Sequence, residues 1–122
     1  MTDATPVRVL LVSTDLMASS RLAGIARATG ADVETLAGPM GTPRGTAFDI
    51  VLLDLQSLAR DVTAHVARGR ALGGAAAKVV AFGPHVWKER LDAAVAAGAD
   101  LAVSRGTVME DFASLLARVV PR

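Results

Sequence analysis

Phe48-Asp49-Ile50-Val51-Leu52-Leu53-Asp54-Leu55-Gln56 is the stretch whose reading decides the fold. Ile50, Val51, Leu52 and Leu53 follow one another without a polar break, between Asp49 and Asp54. A short aliphatic run with no alternation reads as a strand buried on both faces. A carboxylate then stands where the strand should end. In open parallel sheets, ligands and chemistry collect beyond the carboxyl ends of the strands, so Asp54 is the first candidate site residue.

Working outward, the same kind of strand recurs. Val7 to Val12 reads as a strand before it, and Val79 to Phe82 and Leu101 to Val103 as strands after it. Ala31 to Ala37 alternates, with Val33, Thr35 and Ala37 on one side, and reads as a partly exposed strand. Helical spacing fills the intervals. Ala18, Leu22, Ile25 and Thr29 share one face, and Gly30 stops that helix. Leu58, Val62, His65 and Leu72 form a second stripe, with Ser57 as the expected cap and Gly73-Gly74 as the stop. Trp87, Leu91, Ala94, Val95 and Gly98 mark a third. Thr107-Val108-Met109-Glu110 has the form of a capping box, opening a last helix with Val108, Phe112, Leu115 and Val119 on one face.

Gly38 to Ala47 breaks the alternation. Three glycines and two prolines in ten residues predict a loop where another helix would fall. Strands alternating with helices at spacings too long for hairpins require crossover connections. The expected fold is therefore a single α/β domain over 1–122, a three-layer sandwich with a five-stranded parallel sheet of order 2-1-3-4-5, a shortened or missing second helix, and a flexible 1–6.

Composition narrows the function classes. The 122 residues are 52% hydrophobic but only 3% aromatic, enough for an aliphatic core. A net charge of +1 with interspersed signs gives no reason to expect nucleic acid or an anionic membrane as partner. There is no cysteine, so no disulfide framework or thiolate metal site. The N-terminus lacks the pattern of a signal peptide, and a cytoplasmic location is expected. Gly38, Gly41 and Gly45 lack the Gly-Lys-Ser/Thr ending of a phosphate-binding loop, no G-x-G-x-x-G follows the first strand, and there is no G-x-S-x-G. An enzyme is not expected.

With Asp49-Ile50-Val51-Leu52-Leu53-Asp54 before the site and Ala97-Gly98-Ala99-Asp100 before the fifth strand, the chain resembles the receiver domain of bacterial response regulators over nearly its full length. The resemblance implies a flavodoxin-like fold with Asp54 as phospho-acceptor, taking a phosphoryl group from a histidine kinase. It further implies an acidic pair after the first strand to hold Mg²⁺, a hydroxyl after the fourth strand and a lysine after the fifth. Here Ser13-Thr14 stand in place of the pair, with Asp15 one position later. Gly83 stands at the hydroxyl position and Arg105 at the lysine position. Asp15 and Asp54 are left as the metal ligands, a set too small to hold Mg²⁺ well. Asp15 also reads as a helix cap, and Arg105 as an ion-pair partner for Asp54.

These substitutions predict a pseudo-receiver, a signalling and protein-interaction module with a degenerate acceptor site. Two alternatives stand beside it: a working single-domain response regulator in a phosphorelay, phosphorylated on Asp54, and a small flavodoxin-like ligand-binding protein or enzyme using the Gly/Pro loop and His85. His65 reads as a packing residue. The resemblance further implies dimerisation through the fourth helix, fifth strand and fifth helix of the receiver fold, which here nominates Trp87, Leu91, Val108, Met109, Phe112 and Leu116 for a homodimer or a protein partner.

Overall fold

The computed structural model describes residues 6–38, 41–45, 47–58 and 61–120. The expected flexible N-terminal segment lies outside them, apart from Pro6. The element order is β1 (Arg8–Val12), α1 (Leu16–Ala28), β2 (Asp32–Leu36), β3 (Ile50–Asp54), α2 (Val62–Gly73), β4 (Lys78–Gly83), α3 (Lys88–Ala96), β5 (Leu101–Ser104), α4 (Arg105–Glu110) and α5 (Phe112–Val119). The strands form one parallel sheet ordered β2-β1-β3-β4-β5, as the alternation of elements required. None of the described residues between β2 and β3 is helical, in line with the loop expected from the glycines and prolines there.

β3 lies at the centre of the sheet and all five of its residues are buried. Its side chains divide between two cores. Ile50 and Leu52 join Val9, Leu11, Val80 and Phe82 under α1, α4 and α5. Val51 and Leu53 join Leu10, Val12, Val79 and Ala81 under α2 and α3. Each fully buried Leu or Ile contributes roughly 1.5–3 kcal/mol of transfer free energy, so this one strand anchors both layers.

With few aromatics, the layers close by bringing backbones together. Gly69 and Gly73 face β3 from α2. A Cβ at Gly69 would lie 3.1 Å from the Leu53 side chain, and one at Gly73 only 2.5 Å from the Val51 side chain. Any larger residue at Gly73 would push α2 off the sheet.

Two helix starts differ from expectation. α2 is capped by Asp61, whose Oδ1 accepts the Ala64 N–H at 3.0 Å, and not by Ser57. Ser57 lies in the turn after β3 and is used elsewhere. The last helix begins at Arg105 under a Ser104 cap, whose hydroxyl accepts the Thr107 N–H at 3.2 Å. Thr107 is thus inside the helix and the expected capping box does not form. The helix also breaks at Asp111 (φ −140°, ψ 47°), giving α4 and α5 as separate segments.

Candidate functional site

β1 and β3 are adjacent in the sheet and end together, which brings Ser13 and Asp54 to the same place. Asp54 is only 1% exposed. A buried carboxylate needs partners for its oxygens. Ser13 Oγ donates to Asp54 Oδ2 at 2.8 Å, and the Gln56 N–H donates to Oδ1 at 3.2 Å. Both partners are neutral.

The surrounding hydroxyls tie the two loops together. Ser13 and Ser57 bring their Oγ atoms to 3.3 Å. Ser57 Oγ accepts the Thr14 N–H at 2.9 Å, and Thr14 Oγ1 donates to the Ser57 carbonyl at 2.7 Å. The β1–α1 and β3–α2 loops are therefore joined by side-chain hydrogen bonds between residues more than forty positions apart in the chain.

Asp15 has a different employment. Its Oδ1 accepts the Ala18 N–H at 3.0 Å and caps α1, while its own N–H donates to Ser13 Oγ at 3.1 Å. Capping satisfies a helix N–H that would otherwise lack a partner. The metal set nominated from sequence, Asp15 and Asp54, thus has both carboxylates engaged: one by a helix amide, the other by a hydroxyl and a loop amide. Among the described residues no group of three or more His, Cys, Asp or Glu side chains could hold a metal ion. A hard divalent cation wants several oxygen acceptors directed at one point, and here the hydroxyl directs its proton there. Mg²⁺ does not fit this arrangement.

The expected Asp54–Arg105 ion pair is absent. Arg105 Nη1 instead donates to Gln56 Oε1 at 3.0 Å. Among the described residues, ion pairs join Arg8 to Asp32, Arg70 to Asp100 and Lys88 to Asp92. Gln56 intervenes because its backbone serves Asp54 and its side chain reaches outward to the cation.

Gly83 ends β4 and is buried beneath α3. A Cβ there would find Trp87 at 3.5 Å, Leu55 at 3.8 Å and Leu91 at 4.0 Å, all ordinary contacts. Trp87 and Leu91 thus occupy the flank of the site and pack into the core, and Arg90 lies over the Trp87 ring at 4.5 Å. His85 is exposed in the following turn. His65 is buried on α2, as a packing residue, and its Nε2 has no hydrogen-bond partner among the described residues.

Two of the interface nominations, Val108 and Phe112, need correction. Val108 and Phe112 are fully enclosed in the core with Leu115 and Val119, and Met109 and Leu116 pack half-buried against the same cluster. The break at Asp111 turns the buried part of the apolar arc of both segments onto their own sheet and leaves Met109, Leu116 and Val120 partly exposed. Sequence reasoning missed the apolar residues that are exposed. Leu16 and Met17 on the first turn of α1, and Val86 after β4, are 75%, 85% and 72% exposed. The helical spacing around them carried a signal: neither Leu16 nor Met17 belongs to the stripe of Ala18, Leu22 and Ile25.

No protein-family model matches the sequence, and no curated protein matches it. Solved structures do. A two-component response regulator from Clostridium difficile superposes with a TM-score of 0.74 at 13% identity, over 95% of this chain and 97% of that one. The receiver domain of a Pseudomonas aeruginosa sensor histidine kinase, with magnesium in its active-site cleft, gives 0.73 at 14% identity, over 97% and 100%. A Burkholderia pseudomallei response regulator carrying a phosphorylated aspartic acid gives 0.70 at 15% identity, over 94% of this chain and 67% of that one. The chain therefore has the fold of response-regulator receiver domains, with Asp54 at the carboxyl end of the central strand and hydroxyl groups, not acids, around it.

Proposed function

We propose that this protein is a pseudo-receiver: a signalling module of receiver fold that acts by binding another protein and whose acceptor site serves to hold two loops together. One observation carries the reading. The buried Asp54 receives a hydrogen bond from Ser13, at a position where a phosphotransfer site of this fold would need an acid for its cation. A carboxylate attacking a phosphoryl group faces negative oxygens, and a bound divalent cation is what offsets that repulsion. Without the cation the carboxylate remains a hydrogen-bond acceptor. Gly83 offers no hydroxyl to phosphoryl oxygens, and Arg105 is engaged by Gln56.

Protein binding is supported by the exposed Leu16 and Met17 on the first turn of α1 and by the exposed Val86 in the turn after β4, all just beyond the carboxyl ends of their strands. Exposed large apolar side chains gathered at one end of a domain favour a protein contact over simple hydration. The partner is another protein or a second copy. A histidine kinase would be bound here as a docking partner. The balanced charge gives neither nucleic acid nor membrane a foothold, and no helix among the described residues is long and apolar enough to cross a membrane.

Trp87 flanks Gly83 and is the sole tryptophan, so its fluorescence reports on the site. Titration of the protein with Mg²⁺ should leave that fluorescence unchanged to millimolar concentration. A saturable change, abolished by Asp54→Asn, would overturn the reading and restore a metal-dependent acceptor site.

A further inference from the structure

β2 is one edge of the sheet, and loop residues, not a helix, lie beside it. Glu34 ties that loop down: its Oε2 accepts the Arg44 N–H at 2.6 Å and its Oε1 the Gly45 N–H at 2.9 Å. Along the strand runs a groove of about 580 Å³, with Arg27 of α1 on one side and Thr42 and Arg44 of the loop on the other. Its floor is the strand edge. The Asp32 N–H donates to the Val7 carbonyl and the Leu36 carbonyl accepts from the Ser13 N–H, so even-numbered residues turn their backbone groups toward β1. Val33 and Thr35 turn theirs into the groove. Among the described residues the Val33 carbonyl alone of these four groups has a partner, Arg27 Nη2 at 3.3 Å.

The charges around the groove are not all spent. Asp32 pairs with Arg8 at 3.6 Å, and the Glu34 carboxylate is occupied by the two loop amides. Arg27 spends one of its five N–H donors on a neutral carbonyl and has no carboxylate partner among the described residues. Arg44 sits in the field of Glu34 without forming an ion pair among them. The groove therefore offers two things at once: a row of backbone donors and acceptors, and guanidinium groups free to take an anion. A second copy of this chain fits poorly, because antiparallel pairing of β2 about Glu34 would set Glu34 against Glu34.

We propose that this groove binds an extended segment of another protein by strand addition to β2, with an acidic side chain of that segment drawing the Arg27 guanidinium off the Val33 carbonyl. The added backbone satisfies the outward groups of Val33 and Thr35. Successive side chains of an added strand alternate between the two faces of the sheet. Those on the α1 face meet Arg27, and α1 carries no carboxylate from Leu16 to Ala28 to oppose an acid there. Those on the other face meet Glu34. The segment is thus acidic on one face and uncharged on the other. Arg27 guards the edge until such a segment arrives, since a capped carbonyl and flanking charges discourage indiscriminate strand pairing. The groove is separate from Asp54, and a working acceptor site would leave this proposal standing.

The test is amide hydrogen exchange on the full chain with a short blocked peptide alternating glutamate with valine. At millimolar peptide the Val33 and Thr35 amides should gain about tenfold protection, while Leu101 and Val103, whose amides point outward at the β5 edge, stay unchanged. The same peptide with lysine for glutamate should not bind. Arg27→Gln should weaken binding about tenfold. Thr35→Pro should abolish it, because it removes an outward N–H at an exposed edge position where proline is tolerated; if that variant does not fold, Arg27→Gln decides. No protection at millimolar peptide, equal protection at both edges, equal binding of the lysine peptide, or an Arg27→Gln protein that binds as the wild type does would each overturn the proposal. So would saturable binding of glutarate that prevents peptide binding yet leaves the two amides unprotected, which would make the groove a small-anion site. Protection that grows with protein concentration alone would make it a self-association edge and overturn it equally.

Discussion

Two aspartates at opposite ends of the sheet show what each end is for. Asp54, at the carboxyl end of β3, is buried and receives one hydroxyl and one amide. Asp100, at the amino end of β5, is partly exposed and receives the Val79 N–H at 2.8 Å and the Arg70 guanidinium at 2.8 Å. Asp100 has its counter-charge; Asp54 has none. Burial opposes ionisation of Asp100, but the Val79 amide and Arg70 outweigh it and hold its carboxyl below its ordinary value of 3.8. The amino end is a conventional ionic clasp, with Arg70 also bonding the Ala77 and Gly98 carbonyls. The carboxyl end is where chemistry would be expected in this fold, yet it is closed by neutral hydroxyls.

That contrast can be broken most forcefully at Ser13. Ser13→Asp would set a second carboxylate against Asp54 with no cation near, and should cost about 3–5 kcal/mol in urea unfolding. Added Mg²⁺ should recover part of that loss, and should leave the wild type unchanged. Ser13→Ala removes the donor to Asp54 Oδ2 and should cost about 2 kcal/mol. A loss near zero would mean that Asp54 does not depend on the hydroxyl.

At the other end, Asp100→Asn should cost about 1 kcal/mol at neutral pH. Its pH dependence sharpens the comparison. The folded-state value of Asp100 is depressed, so its stabilisation is complete above the unfolded value and is lost as pH falls through the lower folded value. Acid unfolding of Asp100→Asn should therefore lack this component, and the two proteins should converge in stability at low pH. Glu34 provides the smallest test. Its desolvation is outweighed by the Gly45 and Arg44 amides, with Arg44 and Arg8 nearby, and its carboxyl too is held below 4.5. Glu34→Gln should cost under about 1 kcal/mol and show as faster proteolysis of the loop through Gly45.

The sequence carried the sheet because burial leaves a local record. An unbroken Ile50–Leu53 run can be satisfied only between two layers, and that requirement implied helices on both faces. The missing helix was equally legible in Gly38 to Ala47. Caps and contacts across the chain left a weaker record. Ser57 has the residue type of a helix cap, but its hydroxyl is used by Thr14, and nothing near Ser57 in the chain reveals that. Asp61 was the true cap, four residues on. Arg105 carried the right charge to meet Asp54, yet Gln56 intercepted it. Val108 and Phe112 were read as surplus because their number exceeded one stripe; the backbone turn at Asp111 let both segments face inward. In each case the deciding partner was distant in sequence or depended on a dihedral angle.

The central claim is that Asp54 is a structural acceptor and not a phospho-acceptor. It is tested most directly by intact-mass analysis after incubation with acetyl phosphate and Mg²⁺, for wild type and Asp54→Asn, beside an ordinary receiver under the same conditions. The account predicts that the ordinary receiver gains a phosphoryl group and that neither form of this protein does. A single phosphoryl adduct on the wild type, missing from Asp54→Asn, would contradict it and make this chain a working receiver.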